Sequence, residues 1–268
     1  MEKGACLAQG RTAEIFAWGE RDVLKLFREG WTVEDRAYEA AMAEAIYAAG
    51  APSPAIRDVV EVDGRLGIVY ERIDGPSLES LVTCRPWLIA RAACILAETQ
   101  VATQSHSVPD LPPLRQVLEK RIRAASPLSL SLRAAALRAL ESLPDGNALC
   151  HGDLHVGNVL LSPHEPVVID WENATHGHPL TDVARTLLLM RMGSVYSKSA
   201  FQRGILRGII ALLLALYVRR YRQLRPFMPE EIAAWQLPVT AARLCEGVTP
   251  EEPRLLALVA KLAMKSQP

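Results

Sequence analysis

In the first quarter of the chain, apolar and polar residues alternate in short runs, interrupted by one stretch of helical period. The alternation predicts a strand ending near Gln9, a second within RTAEIFAWG, a tight turn at Glu20 and Arg21, and a third in VLKLF. In VLKLF it puts Lys25 on the opposite face from Leu24 and Leu26. A helix is expected over residues 33–49, with Tyr38, Met42 and Ile46 as its apolar stripe and a stop at Gly50, where helices often end. IRDVVEV and RLGIVYERI then meet at Asp63 and Gly64, a strong hairpin signal.

Further on the period changes to that of helices. IDGPSL reads as a connection leading to a helix start at Ser77, and helices follow over residues 86–107, 111–125 and 130–143, with three or four more after Asp182. Pro109, Pro112, Pro113, Pro127 and Pro144 punctuate them. The longest apolar run, residues 208–218, is bracketed by Arg207 and Arg219. It is shorter than the roughly 20 residues a bilayer span needs, so a buried helix is expected. The sum is an α+β chain with a small antiparallel sheet first and a mainly helical remainder.

With 268 residues, 50% hydrophobic and 22% charged, the chain has ample material for a core. Its net charge of zero argues against nucleic acid or a membrane surface as main partner. The average conceals a split, since residues 171–268 hold 7 acidic and 13 basic side chains, four of them at Arg219, Arg220, Arg222 and Arg225. That cluster is either a solvated helix face or part of a pocket better suited to a weakly cationic or anionic molecule than to a polycation. Five scattered cysteines without a CxxC pair read as reduced, mostly buried thiols, and MEKGACLAQG lacks the apolar core of a secretory signal. A cytoplasmic location is expected.

The densest chemistry lies in HGDLHVGNVLL and, after a short turn, VVIDWE. An apolar run delivers Asp170 to a strand end, while Asp153 and Asn158 sit five apart across a loop leading into the apolar run 159–161. Magnesium takes hard oxygen ligands and usually only one or two protein carboxylates, which fits Asp170 and the amide oxygen of Asn158. Asp153 is then the carboxylate that aims an attacking hydroxyl or takes its proton. Five of the six histidines (His151, His155, His164, His176 and His178) crowd the same region, which leaves a zinc or di-metal hydrolase as an alternative, although no HExxH motif is present.

HGDLHVGN and IDWE resemble the catalytic loop and metal-binding segment of the aminoglycoside phosphotransferase family, a branch of the protein-kinase-like fold. The resemblance implies a two-lobed molecule, with a nucleotide-binding lobe at residues 1–73 and a helical lobe at residues 74–268 carrying the acceptor pocket. It implies transfer of the γ-phosphate of ATP, or of GTP, to a hydroxyl of a small molecule with magnesium. Lys25 would bind the α and β phosphates, held by Glu39, with Glu44 as second choice. Residues 71–73, with Glu71 and Ile73 at their ends, would offer main-chain groups to the adenine. His155 would lie near the transferred phosphate or the acceptor, and Asp182 would fasten the catalytic loop through its N–H groups. Gly10 stands where kinases have GxGxxG, and reads either as a remnant of that loop or as a hairpin glycine. A catalytically silent nucleotide binder is the third reading, disfavoured because base, metal ligands and strand lysine are all present. Acceptor identity and oligomeric state are left open.

Overall fold

The computed structural model describes residues 3–10, 12–28, 33–193 and 199–265. Five strands, β1 (Lys3–Gln9), β2 (Ala13–Trp18), β3 (Asp22–Phe27), β4 (Ile56–Val62) and β5 (Arg65–Glu71), form an antiparallel sheet in the order β1-β2-β3-β5-β4. Alternation in β3 does what the period of two requires. Leu24 and Leu26 pack with Trp18 and Val69 on one face, while Lys25 and Phe27 belong to the other. Because β3 is central, Lys25 cannot be an edge-guarding lysine.

The helix α1 (Val33–Ala48) follows β3. Its expected stripe is only partly right: Met42 and Ile46 are buried, but Tyr38 is half exposed. Glu39 takes the inward position instead, at 5% exposure. The inward face thus runs Glu39, Met42, Ile46, with one polar member placed over the sheet.

Ser77 caps α2 (Leu78–Cys84) by accepting the Ser80 N–H, as the sequence suggests. The helix expected at 86–107 is a 3-10 turn, Pro86–Leu88, followed by α3 (Ile89–Thr103). The next two, α4 (Leu114–Ala124) and α5 (Leu130–Glu141), fall within their expected bounds. Four short strands then carry the chemistry-bearing segment: β6 (Ala148–Cys150) pairs with β9 (Thr175–Gly177), and β7 (Val159–Leu161) with β8 (Pro166–Val168). Helices α6 (Pro179–Met192), α7 (Ala200–Leu224), α8 (Pro229–Arg243) and α9 (Glu252–Lys265) complete the chain.

The helix expected to be buried, α7, is 25 residues long and buries only one side. Leu213, Leu214, Tyr217 and Tyr221 are inside, whereas Phe201, Ile205 and Leu212 are more than half exposed. The uncharged run remains bracketed by Arg207 and Arg219, but the helix around it, Phe201–Leu224, is long and apolar enough to cross a membrane by length and composition. The cysteines depart from expectation too, for Cys6, Cys84 and Cys245 are exposed and only Cys150 is fully buried.

Polar contacts tie the buried side of α7 to the rest. The Tyr217 hydroxyl donates to Gln100 Oε1 on α3, and Gln100 Nε2 donates at 3.0 Å to Asp182 on α6. One turn further on, Tyr221 donates to Gln104 at 2.7 Å, and Gln104 donates at 3.0 Å to the Pro179 carbonyl. A second network joins α6 to the chain around α8, where Glu246 accepts from both Arg185 and Arg243, and Arg243 also binds Glu251 through two nitrogens at 2.9 and 3.1 Å. Burial alone would raise the pKa of Glu246, but Arg185 and Arg243 outweigh it and hold the carboxyl below its ordinary value of 4.5.

Two outcomes are expected of stability measurements. Tyr217→Phe leaves Gln100 Oε1 buried without this donor and should lower the free energy of unfolding in urea by about 1–3 kcal/mol; an unchanged midpoint would show the contact to be energetically idle. A depressed carboxyl pKa in the folded state means that the unfolded chain binds more protons near pH 4.5, so stability rises with pH there. The Glu246 contribution is therefore complete above that pH and lost as pH falls through the folded value. Glu246→Gln should flatten this acid limb in denaturation curves, and an identical limb in both proteins contradicts the assignment.

Candidate active site

A cleft of about 1020 Å³ separates the five-stranded sheet from the helical part. Lys25, Tyr70 and Ile73 line it from the sheet side, and Asp153, His155, Asn158 and Asp170 from the other. The segment that crosses between the two sides is held close to β7: a Cβ on Gly75 would lie 1.9 Å from the Leu161 carbonyl oxygen, and the Leu161 N–H donates to the Pro76 carbonyl at 2.9 Å.

Lys25 is the centre of the sheet side. Its ammonium is 2.7 Å from Glu39 Oε1 and 3.0 Å from Asp170 Oδ1. Burial alone would lower its pKa, but Asp170 and Glu39 overcome this and raise it well above the ordinary lysine value. Asp170 is shifted the opposite way, as burial, which would raise its pKa, is outweighed by Lys25. Glu44, the second choice of partner, is exposed on the far side of α1.

Asp170 has φ 68°, a left-handed conformation that costs a residue with a Cβ about 1–2 kcal/mol. The conformation is held from both sides. Trp171, buried behind it, donates its indole N–H to the Val168 carbonyl at 2.9 Å, and the Ile169 N–H donates to the Asn158 carbonyl at 3.0 Å. The turn therefore aims Asp170 at Lys25 and places it beside Asn158 in one cleft.

The loop from His151 to Asn158 is fastened from behind. Asp182 accepts the N–H groups of His151 at 3.2 Å and Gly152 at 2.7 Å. Gly152 has φ +76°, and an added Cβ would lie 2.4 Å from the Asn173 carbonyl oxygen, so the loop requires glycine there. His151 is fully buried; its Nδ1 accepts the Asp153 N–H at 3.1 Å, which leaves Nε2 to donate to the Ile169 carbonyl at 3.0 Å. This ring thus joins the HGD loop to the segment that carries Asp170. Asn158 Nδ2 donates to the Asp153 carbonyl at 3.0 Å, which leaves its amide oxygen as the atom that can face a cation.

The Asp153 carboxylate is partly exposed to the cleft and flanked by two N–H-bearing groups. Arg185 Nη2 lies 3.8 Å from Oδ1 and His155 Nε2 lies 4.0 Å from Oδ2. Arg185 Nε also donates to the Gly152 carbonyl at 3.0 Å. His155 Nδ1 accepts the Gly157 N–H at 3.0 Å, so the neutral ring carries its proton on Nε2, towards Asp153. Burial lowers the His155 pKa despite the nearby Asp153, which keeps the ring neutral at pH 7 and unsuited to an electrostatic role as a cation.

Other sequence candidates behave differently. The Glu71 N–H donates to the Ala55 carbonyl and the Arg72 N–H to the Arg21 carbonyl, both at 2.9 Å, whereas the Ile73 main chain has no backbone partner among the described residues. Gly10 lines the cleft, but its N–H donates to the Ala13 carbonyl at 2.8 Å, as a hairpin glycine does; Arg11 lies outside the described residues. The histidines do not converge. His164 sits in an exposed turn, and His178 caps α6 and stacks on Trp235. Among the described residues no three His, Cys, Asp or Glu side chains are grouped to hold a metal ion. Asn158 and Asp170 alone still suit magnesium, which draws its remaining ligands from water and phosphate.

Arg219, Arg220, Arg222 and Arg225 lie at the far end of α7 and do not line the cleft; Arg220 pairs with Glu98 at 2.6 Å. The split in charge is therefore not a property of the pocket. Arg185 and its partner Glu246 went unassigned in the sequence. The spacing of Arg185, one helical turn after Asp182, could have suggested that both face the loop. Nothing in the sequence links it to Glu246, sixty-one positions away.

Residues 8–235 match the family model described as the phosphotransferase enzyme family. Among curated proteins, acyl-CoA dehydrogenase family member 11 of Rattus norvegicus is 33% identical over 105 residues, covering 34% of this chain and 13% of that protein. Methylthioribose kinase of Bacillus cereus (strain AH820) is 35% identical over 77 residues, covering 29% of this chain and 19% of that protein. The chain thus spans under a fifth of the length of these relatives. Solved structures agree in fold: an aminoglycoside-3'-phosphotransferase of type VIII matches with TM-score 0.64 at 18% identity, covering 90% of this chain and 93% of its own. A choline/ethanolamine kinase family protein from Mesorhizobium loti matches with TM-score 0.58 at 20% identity, covering 100% and 88%. The fold is the α+β, two-lobed, kinase-like one, and with the family model spanning most of its length the chain belongs to the phosphotransferase enzyme family.

Proposed function

We propose that the protein transfers the γ-phosphate of ATP, with magnesium, to a hydroxyl of a small molecule. The observation that carries the reading is the Lys25 ammonium held between Glu39 and Asp170, with Asp153 and Asn158 lining the same cleft. A streptomycin–ATP complex of an APH(2")-IIa enzyme, matching at TM-score 0.60 and 14% identity, supports ATP as donor. Residues 1–73 form the nucleotide lobe in this reading and residues 74–268 the catalytic and acceptor lobe.

Each residue has a task that follows from its surroundings. Lys25 presents a permanent positive charge to the α and β phosphates, positioned by Glu39. The Ile73 N–H is the hinge group available to adenine, while Glu71 can offer only its carbonyl. A magnesium ion on Asp170 and the Asn158 amide oxygen would neutralise charge on the phosphate oxygens. Asp153 orients the acceptor hydroxyl and takes its proton as the oxygen attacks, with the Arg185 guanidinium 3.8 Å away as its cationic neighbour. Of the two carboxylates near Arg185 and Arg243, Glu246 and Glu251, both are bound by guanidinium groups. A polycation would find no unengaged acid in that network, which favours an acceptor less cationic than an aminoglycoside.

Loss of the base should lower kcat by at least about 100-fold. Asp153→Asn is accordingly expected to end turnover while leaving Mg–ATP affinity in calorimetry near that of the parent. Asp170→Ala should weaken Mg–ATP binding as well. Turnover would be followed as ADP release during a screen of hydroxylated metabolites for phosphate gain; parental rates in both variants would disprove the site assignment.

A further inference from the structure

The cleft that holds Asp153 also has an aliphatic part. Leu189 and Met190 from the end of α6 and Leu206, Ile209, Ile210 and Leu213 from the first half of α7 line it as an aliphatic wall. Leu213 is buried, but Ile209 is 36% exposed and Leu206 and Ile210 are half-buried, so the wall is open to the cleft rather than sealed in the core. Three polar groups that line the same cleft, Arg243, Glu246 and Glu251, are already engaged with one another and with Arg185. Against these residues an acceptor made wholly of hydroxyls and ammonium groups would meet aliphatic carbon and ion pairs that are already formed.

Resting on the phosphotransferase reading above, we infer that the acceptor is a hydroxylated molecule with an aliphatic body, laid against Leu206, Ile209 and Ile210 so that its hydroxyl reaches Asp153. In the transfer the hydroxyl oxygen bonds to the γ-phosphorus while the bond from that phosphorus to the β–γ bridging oxygen breaks. ADP leaves, and Asp153 receives the hydroxyl proton. Each methylene moved from water onto such a wall tightens binding about fourfold.

The test is calorimetric binding of butane-, hexane- and octane-1,2-diol to the full chain saturated with magnesium and a non-hydrolysable ATP analogue, with kanamycin as the cationic comparison. Affinity should rise about fourfold per methylene, kanamycin should bind more weakly than octanediol, and the double substitution Leu206→Ser, Ile209→Asn should abolish the dependence on length. Ile209→Ala, a milder truncation at an open position, should reduce that dependence and serves if the double variant fails to fold. A flat series, tighter binding of kanamycin, or a length dependence untouched by either variant overturns the inference. The two readings fail separately. A graded series whose diols are never phosphorylated, with no ADP release from any acceptor, keeps the aliphatic subsite and removes the kinase, whereas ATP-dependent phosphorylation of a polyhydroxylated acceptor with a flat diol series does the reverse.

Discussion

A lysine ammonium removed from water is tolerable only beside opposite charge, and the architecture on both sides of the cleft answers that requirement at Lys25. The three-way contact of Lys25, Glu39 and Asp170 joins a central strand, a helix and the turn after β8. Truncating one member of a buried ion pair typically costs about 3–5 kcal/mol, because the remaining charge is left uncompensated. The three elements therefore cannot drift apart independently. Asp170 is the least enclosed of the three, with a side chain 44% exposed. It is the member best able to exchange its lysine contact for a cation brought by a nucleotide.

The opposite wall is organised by a carboxylate that never faces the cleft. Asp182 accepts two N–H groups of the loop that carries Asp153 and is itself held by Gln100, which Tyr217 engages from α7. Three helices thus converge on the position of one loop. The His151 ring then links that loop to the Ile169 carbonyl, next to Asp170. Through this ring the loop that carries Asp153 and the turn that carries Asp170 share one fixed frame, which would suit the proposed reaction, in which positioning does most of the work.

How far this was legible from sequence depends on the range over which each feature is determined. The face on which Lys25 lies followed from a local period of two, and the hairpin at Asp63 and Gly64 from local turn chemistry. Asp153, Asn158 and Asp170 were visible because their spacing within HGDLHVGN and IDWE is short and specific. Tyr38 was misassigned because the apolar stripe on α1 admits a buried Glu39 only once the sheet supplies a lysine to pair with it, a contact between distant segments. Glu246 and the one-sided burial of α7 were illegible for the same reason. Each is decided by which helix packs alongside, and composition cannot say which half of an apolar helix will be covered.

The α7 helix shows why charge counts along the sequence mislead about pockets. Arg219, Arg220 and Arg222 sit at its far end and do not line the cleft, and neither do Arg203 and Arg207 nearer its start, whereas Leu206, Ile209, Ile210 and Leu213 do, so this helix presents the cleft with carbon. An exposed aliphatic wall beside a carboxylate and a set of satisfied ion pairs selects by what it cannot hydrate or neutralise. Ammonium groups laid against the aliphatic residues themselves would lose water without gaining a partner. Methylenes would lose only unfavourable contact with water. If the proposed roles hold, the same kinase-like frame can serve a different acceptor without any change to Lys25, Asp153 or Asp170, because the aliphatic residues belong to α6 and α7 and those three side chains do not.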